Sequence, residues 1–321
     1  MKKLLFLIII VLNYNLSFNA QDISDINIPV LNIKTIDGEM PERTVINAPE
    51  GCFGVSITDN KYVAGRMIIT LKGETIYDSD EYIKNESGIR IKIRGNSTGA
   101  YLQQHPYKIK LSKKEDLLRR NEEAYKHKEW ALLSMYTWHP KMKNQETNIL
   151  NMVGLAISKI FQKEWTPEYE LVNLILNNQY QGMYYLIESV EKGEKRVNIS
   201  KDGFLVEYDP FWWNEDVYFK TDHQSNSMAY TFKYPNDDDV DENIKESISK
   251  LFNQFEDKLY NSDFINEYIN LESFAKWILI HDFLGTNDAI GCNKYIYKNN
   301  INDDSKMETG PIWDYDSAFR S

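Results

Sequence analysis

With 321 residues, 42% of them hydrophobic and 13% aromatic, the chain has the apolar content for one sizeable core or for two lobes sharing a cleft, which excludes a disordered protein. A formal net charge of −11 argues against a nucleic-acid partner and leaves a basic polypeptide as the partner that charge alone favours. The acidic run Asp237-Asp238-Asp239 reads first as a solvated face, and the two cysteines, Cys52 and Cys292, are compatible with one bridge in an oxidising compartment or with two separate thiols.

The N-terminus has the plan of a cleavable secretory signal: Lys2 and Lys3, an apolar run over residues 4–12, then Ser17-Phe18-Asn19-Ala20 before Gln21. That run is too short to span a bilayer, and no cysteine follows a cut near Ala20 to take a lipid. Export to the periplasm, cell surface or medium is therefore expected, without a stable membrane anchor.

Residues 27–112 read as short alternating strands at 28–35, 54–58, 66–71, 88–94 and 107–111, separated by Gly, Asn and Pro. A helix is expected at about 141–162, with Ile149, Leu150, Val153, Ile157 and Ile160 on one side. Residues 170–176 and 182–190 form a hairpin around 177–181, and a strand follows at 204–208. Helices are expected at 240–261 and 271–284, the second stopped by Gly285. Strands at 293–297 and 310–314 then flank a turn at Asn299-Asn300. The pattern predicts an α+β fold with a β-rich N-terminal half and a helix-rich C-terminal half.

Two constellations carry chemistry. At the end of the chain, Asn287-Asp288, Asn293 and Asp314-Tyr315-Asp316 flank the last hairpin, and Asp288 precedes Asn293 by five residues. Kinases space their catalytic-loop aspartate and metal-binding asparagine in this way, with a further metal-binding aspartate beyond a hairpin. The spacing recurs elsewhere in this Asn-rich chain, so its weight comes from its place after a helix. A rival frame, Asp282 with Asn287, has the spacing too, but Asp282 falls inside the expected helix. Asp314 and Asp316 would face the same side of an extended segment, which suits a metal ion and also suits a helix N-cap.

The second constellation is Ile91-Lys92-Ile93-Arg94-Gly95-Asn96-Ser97-Thr98, followed by Lys108 and Lys110 on one face of the next strand. Backbone N–H groups of a Gly-Asn-Ser-Thr turn can meet phosphate oxygens, and hairpin turns favour the same residues. No G-x-G-x-x-G or Walker A sequence is present. Arg94 has a plainer reading as an ion-pair partner, and Trp313 reads as core before it reads as an adenine stack.

From about residue 88 onward the chain resembles the CotH kinase family, named for spore-coat protein H. The resemblance runs through Arg94 to Thr98, Pro106-Tyr107-Lys108-Ile109-Lys110-Leu111, Trp130-Ala131-Leu132-Leu133, residues 177–188, 203–209, Lys233-Tyr234-Pro235, Asn287-Asp288 with Asn293, and 310–319. It implies an atypical, two-lobed protein-kinase-like fold that moves phosphate from ATP to serine, with threonine as second acceptor, in a protein substrate; with the charge balance, a serine-rich and basic substrate is expected. It further implies Asp288 as the catalytic aspartate, and Asn293 and Asp314, with Asp316 as alternative or assistant, as ligands of Mg²⁺ or Mn²⁺. Lys110 is the preferred phosphate lysine, since the Lys108 position more readily accepts Arg; Arg94 and Glu188 complete the nucleotide-binding set. The lysine's partner glutamate stays open among Glu146, Glu188 and Glu207, and residues 186–190 can alternatively line the adenine pocket. The implied layout is a signal peptide at 1–20, a β-rich segment at 21–87 and the kinase-like domain at 88–321, stopping where the resemblance implies further structure. The competing class is a non-catalytic surface or adhesion protein of the same fold.

Overall fold

The structure, a computed structural model, describes residues 27–137, 146, 147, 149–161, 163, 165–286, 292–315 and 318. The chain enters on β1 (Val30–Thr35), forms a small ribbon from β2 (Thr44–Asn47) and β3 (Val55–Thr58), and continues through β4 (Val63–Leu71), β5 (Glu74–Asp78) and β6 (Ile89–Ile93). A one-turn helix, α1 (Ser97–Tyr101), leads to β7 (Tyr107–Glu115), β8 (His127–Ser134) and the paired short strands β9 (Tyr136–Thr137) and β10 (Glu146–Thr147). Helix α2 (Leu150–Ile160) precedes the hairpin of β11 (Tyr169–Leu176) and β12 (Gln179–Glu188). The remainder is β13 (Phe204–Asp209), β14 (Tyr218–Phe219), β15 (Ala229–Tyr234), α3 (Glu242–Tyr260), α4 (Leu271–Leu284), β16 (Lys294–Lys298) and β17 (Glu308–Ile312).

The larger sheet runs β1-β11-β12-β8-β7-β6-β4-β5, and β4 turns back to pair antiparallel with β1, so the sheet closes on itself. Closure gives β1 and β4 partners on both sides, so that the edge left among these strands is β5, which pairs with β4 alone. Alternation supplies the interior: Val63, Met67 and Ile69 of β4, the three isoleucines of β6, and Tyr107, Ile109 and Leu111 of β7 all point inward and are buried. Each such side chain contributes on the order of 2 kcal/mol by leaving water. Gly65 marks the closure point, where a Cβ would strike the backbone of Lys34 and Thr35. Strands β1 and β4, which precede residue 88, hydrogen-bond with β11 and β6, which follow it, so both sides of that position share one sheet.

The hairpin between β11 and β12 is tighter than the sequence pattern predicts. Asn177 and Asn178 both adopt positive φ, 49° and 65°, the conformation of a two-residue turn whose twist matches the strands. Asn177 then ties the turn to β1, accepting from the Thr35 amide at 2.9 Å and donating to its hydroxyl at 2.8 Å.

A five-stranded antiparallel sheet, β14-β15-β13-β16-β17, occupies the second half, which is therefore not helix-rich as expected. One face packs on α3 through Phe204, Val206 and Phe219 against Ile248, Phe252 and Phe255. The other faces the outside of the closed sheet, with α2 and α4 completing a core around Tyr185, Leu205, Tyr295 and Trp313. Capping sets the helix limits: Asp241 accepts from the Ile244 amide at 2.8 Å, Asn270 accepts from Glu272 and Ser273, and Gly285 ends α4 at φ 58°. Among the described residues, no helix is long and apolar enough to cross a membrane.

Helix α2 starts at Leu150 rather than 141, and its inner face differs from the one that hydrophobic spacing predicts. Ile149 is 54% and Ile160 72% exposed, whereas Asn151, Gly154, Leu155 and Ser158 are buried. The reason is Tyr315, whose ring lies across Gly154 where any Cβ would overlap it. Its hydroxyl hydrogen-bonds the Ser158 hydroxyl, and its amide donates to Asn151 Oδ1 at 3.0 Å. A small and polar stripe is what lets this aromatic side chain sink into the helix surface.

Gly154→Ala sets a helix-propensity gain of up to ~1 kcal/mol against overpacking of ~1–3 kcal/mol, so a net loss of stability is expected. Urea unfolding of the full chain measures it, and a midpoint raised by the substitution would contradict this packing.

Candidate active site

A cleft of about 750 Å³ opens between the outside of the closed sheet and the five-stranded sheet. Strand β6 and α1 bring Arg94 and the segment Gly95 to Thr98 to one wall, and β7 brings Lys108. Glu207 and Asp209 of β13, Lys233 of β15, Asn293, Trp313 and Asp314 form the opposite wall. Ser189, Val190 and Glu191, just past β12, line it between the two.

Asn293 and Asp314 meet because of hairpin register. Lys294 of β16 pairs with Ile312 of β17, so the residues just outside the pair are neighbours. Asn293 Nδ2 donates to Asp314 Oδ2 at 3.4 Å. Both adopt left-handed backbone, φ 57° and 63°, a conformation that short polar side chains tolerate better than most. Trp313 and Tyr315, 7% and 1% exposed, anchor Asp314 from both sides in the core. The amide oxygen and the carboxylate are hard donors of the kind that Mg²⁺ and Mn²⁺ take. Two such oxygens on one cleft wall fit a cation held jointly with phosphate oxygens; among the described residues, no group of three His, Cys, Asp or Glu side chains forms a self-sufficient metal site. Asn287, Asp288 and Asp316 lie outside the described residues. Asp282, the rival frame, is exposed on α4 and does not line the cleft; its neighbour His281, pushed down to about 4 by burial and by Lys163, hydrogen-bonds Thr286.

Of the two candidate lysines, Lys108 lines the cleft and Lys110 does not. Both bind Glu129 of β8, Lys110 at 2.6 Å, because Lys110 and Glu129 are cross-strand partners. Among the described residues the lysines' partner is thus Glu129, and not Glu188 or Glu207. Glu207 pairs instead with Lys233 at 3.0 Å. Glu188, 1% exposed, binds Arg120 at 2.8 Å, accepts from the Glu168 amide at 2.9 Å and lies outside the cleft, although Ser189 and Val190 beside it line the wall. The side chain of Glu146 is outside the described residues. Arg94 places its guanidinium 5.7 Å from the centre of the Trp313 ring, so Trp313 is both core and a cation–π platform on the wall. The Gly-Asn-Ser-Thr segment is a turn at Gly95, φ 85°, running into α1, with Asn96 Oδ1 accepting from Ser56 at 2.6 Å. Cys52 and Cys292 are each half-buried and not joined by a disulfide.

The electrostatics divide the carboxylates. Burial pushes Glu129 up, but Lys108 and Lys110 reverse this and hold it at about 2. Glu191, 3.7 Å from Lys108, is pushed up to about 7 by burial and by the negative charge of Glu129. Asp209 rises to about 7 through burial and the proximity of Glu207, and Glu215 rises for the same two reasons, opposed by Lys233. Sequence reasoning missed Glu129, Glu191, Asp209 and Glu215. A strand over 127–134 would have placed Glu129 opposite Lys110; nothing in one dimension marks Asp209 or Glu215 as buried.

Asp209 gives a pH signature. The folded protein holds this proton up to about pH 7, whereas the unfolded chain releases it near the ordinary 3.8. Between those values the folded state binds more protons, so this group lowers stability progressively as pH rises. Asp209→Asn keeps an acceptor for the Phe211 amide, at 2.7 Å in the parent, and removes the titration. Relative to the parent, the variant should gain stability from pH 4 to pH 8 by on the order of 4 kcal/mol. Urea midpoints at the two pH values test this; a difference that does not change with pH would remove Asp209 as the titrating group.

No curated protein matches the chain. The family model described as CotH kinase protein matches residues 91–321, a span that holds the cleft lining from Lys92 to Asp314. Covering well over half of the sequence, that match shows that this chain, kinase-like and mixed α+β, belongs to the CotH kinase protein family.

Proposed function

We propose that the protein is an exported, divalent-metal-dependent kinase that transfers the γ-phosphate of ATP to serine, with threonine as second acceptor, in a protein substrate. The observation that carries this reading is the pair Asn293 and Asp314, 3.4 Å apart on one wall of a cleft whose other wall presents Lys108, Arg94 and the Gly95 to Thr98 segment. In this reading the closed sheet and the five-stranded sheet act as the two lobes, with strands before residue 88 built into the first.

Lys108, oriented by Glu129 and Glu191, would bind the nucleotide phosphates, with Lys110 acting through Glu129. Arg94 adds a second cation to the phosphate end. Asn293 and Asp314, assisted by Asp316, would hold Mg²⁺ or Mn²⁺, which when bound neutralises charge on the phosphates. Asp288 would orient the serine hydroxyl and accept its proton as the oxygen forms its bond to the γ-phosphorus and the bond to the β-phosphate bridging oxygen breaks, leaving ADP. The acidic balance of the chain, −11, favours a basic substrate region.

Transfer of labelled γ-phosphate from ATP to a serine-rich basic protein, with Mg²⁺ or Mn²⁺, tests the reading. Asp288→Ala and Asp314→Ala should each lower transfer by at least ~100-fold, and Lys108→Ala should raise the KM for ATP by about tenfold. Removal of the metal by chelation should abolish transfer in the parent. Undiminished transfer by a folded Asp288→Ala variant would overturn the catalytic role, and a folded but inactive parent would favour the non-catalytic binding protein.

A further inference from the structure

A second cavity, about 650 Å³, lies among the β7–β8 connection, the segment between α2 and β11, the stretch after β12 and the β16–β17 hairpin. It shares no lining residue with the cleft of Asn293 and Asp314. In a chain of net charge −11 it is lined by six basic side chains, Arg120, Lys159, Lys163, Lys195, Arg196 and Lys306, against four glutamates. Most of that charge is matched. Arg120 binds Asp116, Glu168 and Glu188; Lys159 binds Glu168; Lys163 donates to the Thr309 carbonyl at 2.6 Å.

Arg196 is different. It is 2% exposed and its Nη1 donates to the Ser189 carbonyl at 3.2 Å and Glu191 at 3.4 Å, but its Nε and Nη2, fully buried, find no acceptor among the described residues. Thr166, 8% exposed on the same cavity, has a buried hydroxyl with no partner among the described residues. The Trp130 ring, 5.2 Å away, covers the guanidinium without accepting those hydrogens. Burial accordingly pushes the guanidinium below its ordinary value. Buried cationic donors without acceptors are costly, and Nε with Nη2 is the side of the fork that meets two oxygens of one oxyanion at once.

We propose that this cavity is an anion site that takes a phosphate group, with Arg196 and Thr166 as its inner donors and Lys195 and Lys306 favouring a dianion over a monocarboxylate. The shared chemistry is the tetrahedral oxyanion, carried either by inorganic phosphate or by a phosphorylated side chain. The proposal does not depend on the kinase reading, since none of its residues lines the other cleft.

Titration calorimetry of the full chain, at constant ionic strength, with inorganic phosphate and with a phosphoserine peptide and its unphosphorylated form, provides the test. One-site saturation is expected in the parent. Affinity should fall about tenfold or more in Arg196→Lys, which keeps the charge and loses the fork, and in Thr166→Val. Thr166→Val removes a hydroxyl that has no partner among the described residues, so it should fold even if Arg196→Lys does not. Tighter binding of the phosphopeptide than of phosphate assigns the anion to a polypeptide; equal binding assigns free phosphate. No saturation, or full affinity in both cavity variants, would overturn the site.

Discussion

The seating of Tyr315 in α2 is the contact on which the cleft wall depends. Asp314 stands in a left-handed conformation at the end of a hairpin, and a carboxylate so placed needs a rigid support on each side. Tyr315 supplies one, through a ring pressed onto Gly154, a hydroxyl bond to Ser158 and an amide bond to Asn151. Trp313 supplies the other and offers its ring to Arg94 across the cleft. One aromatic residue thus joins a helix from the middle of the chain to the acidic end, and the other joins that end to the closed sheet.

Closure of the larger sheet does the equivalent work for the opposite wall. With β4 paired to β1, strands β6, β7 and β8 are held in a register that sets Lys110 against Glu129 and leaves Lys108 on the cleft side. Charge on this wall is organised rather than accumulated. Glu129, shared by two lysines, stays ionised far below neutrality, while Glu191 beside it is raised towards it. Arg196 reaches Glu191 from the second cavity, so a chain of ionic contacts runs from that cavity through Glu191 and Lys108 to Glu129.

Where local sequence and structure diverge, a long-range partner is responsible. The apolar spacing of α2 points to Ile149 and Ile160, yet both are solvent-exposed because a stripe of small residues is needed beneath Tyr315. The preference for Lys110 over Lys108 followed the family pattern; the lining of the cleft follows strand register instead. Glu188 resembles a wall residue in sequence, but its side chain turns to Arg120, because successive residues of a strand alternate faces. The five-stranded sheet of the second half went unrecognised as a sheet since β14 is only two residues long and β15 pairs with β13 from 20 or more positions away.

The sequence by itself determined what depends on neighbours along the chain: the strand alternation of β6 and β7, the caps and stop of α3 and α4, the hairpin flanked by Asn293 and Asp314, and the ordered motifs by which the family is recognised. Tertiary structure alone decided which charges meet. Glu129 with the two lysines, Glu207 with Lys233, Asp209 buried beside them and Arg196 left with unmatched donors all arise between segments that chain order does not relate. The physical reason is that propensity and capping act over a few residues, whereas burial and Coulomb interaction depend on distance in space.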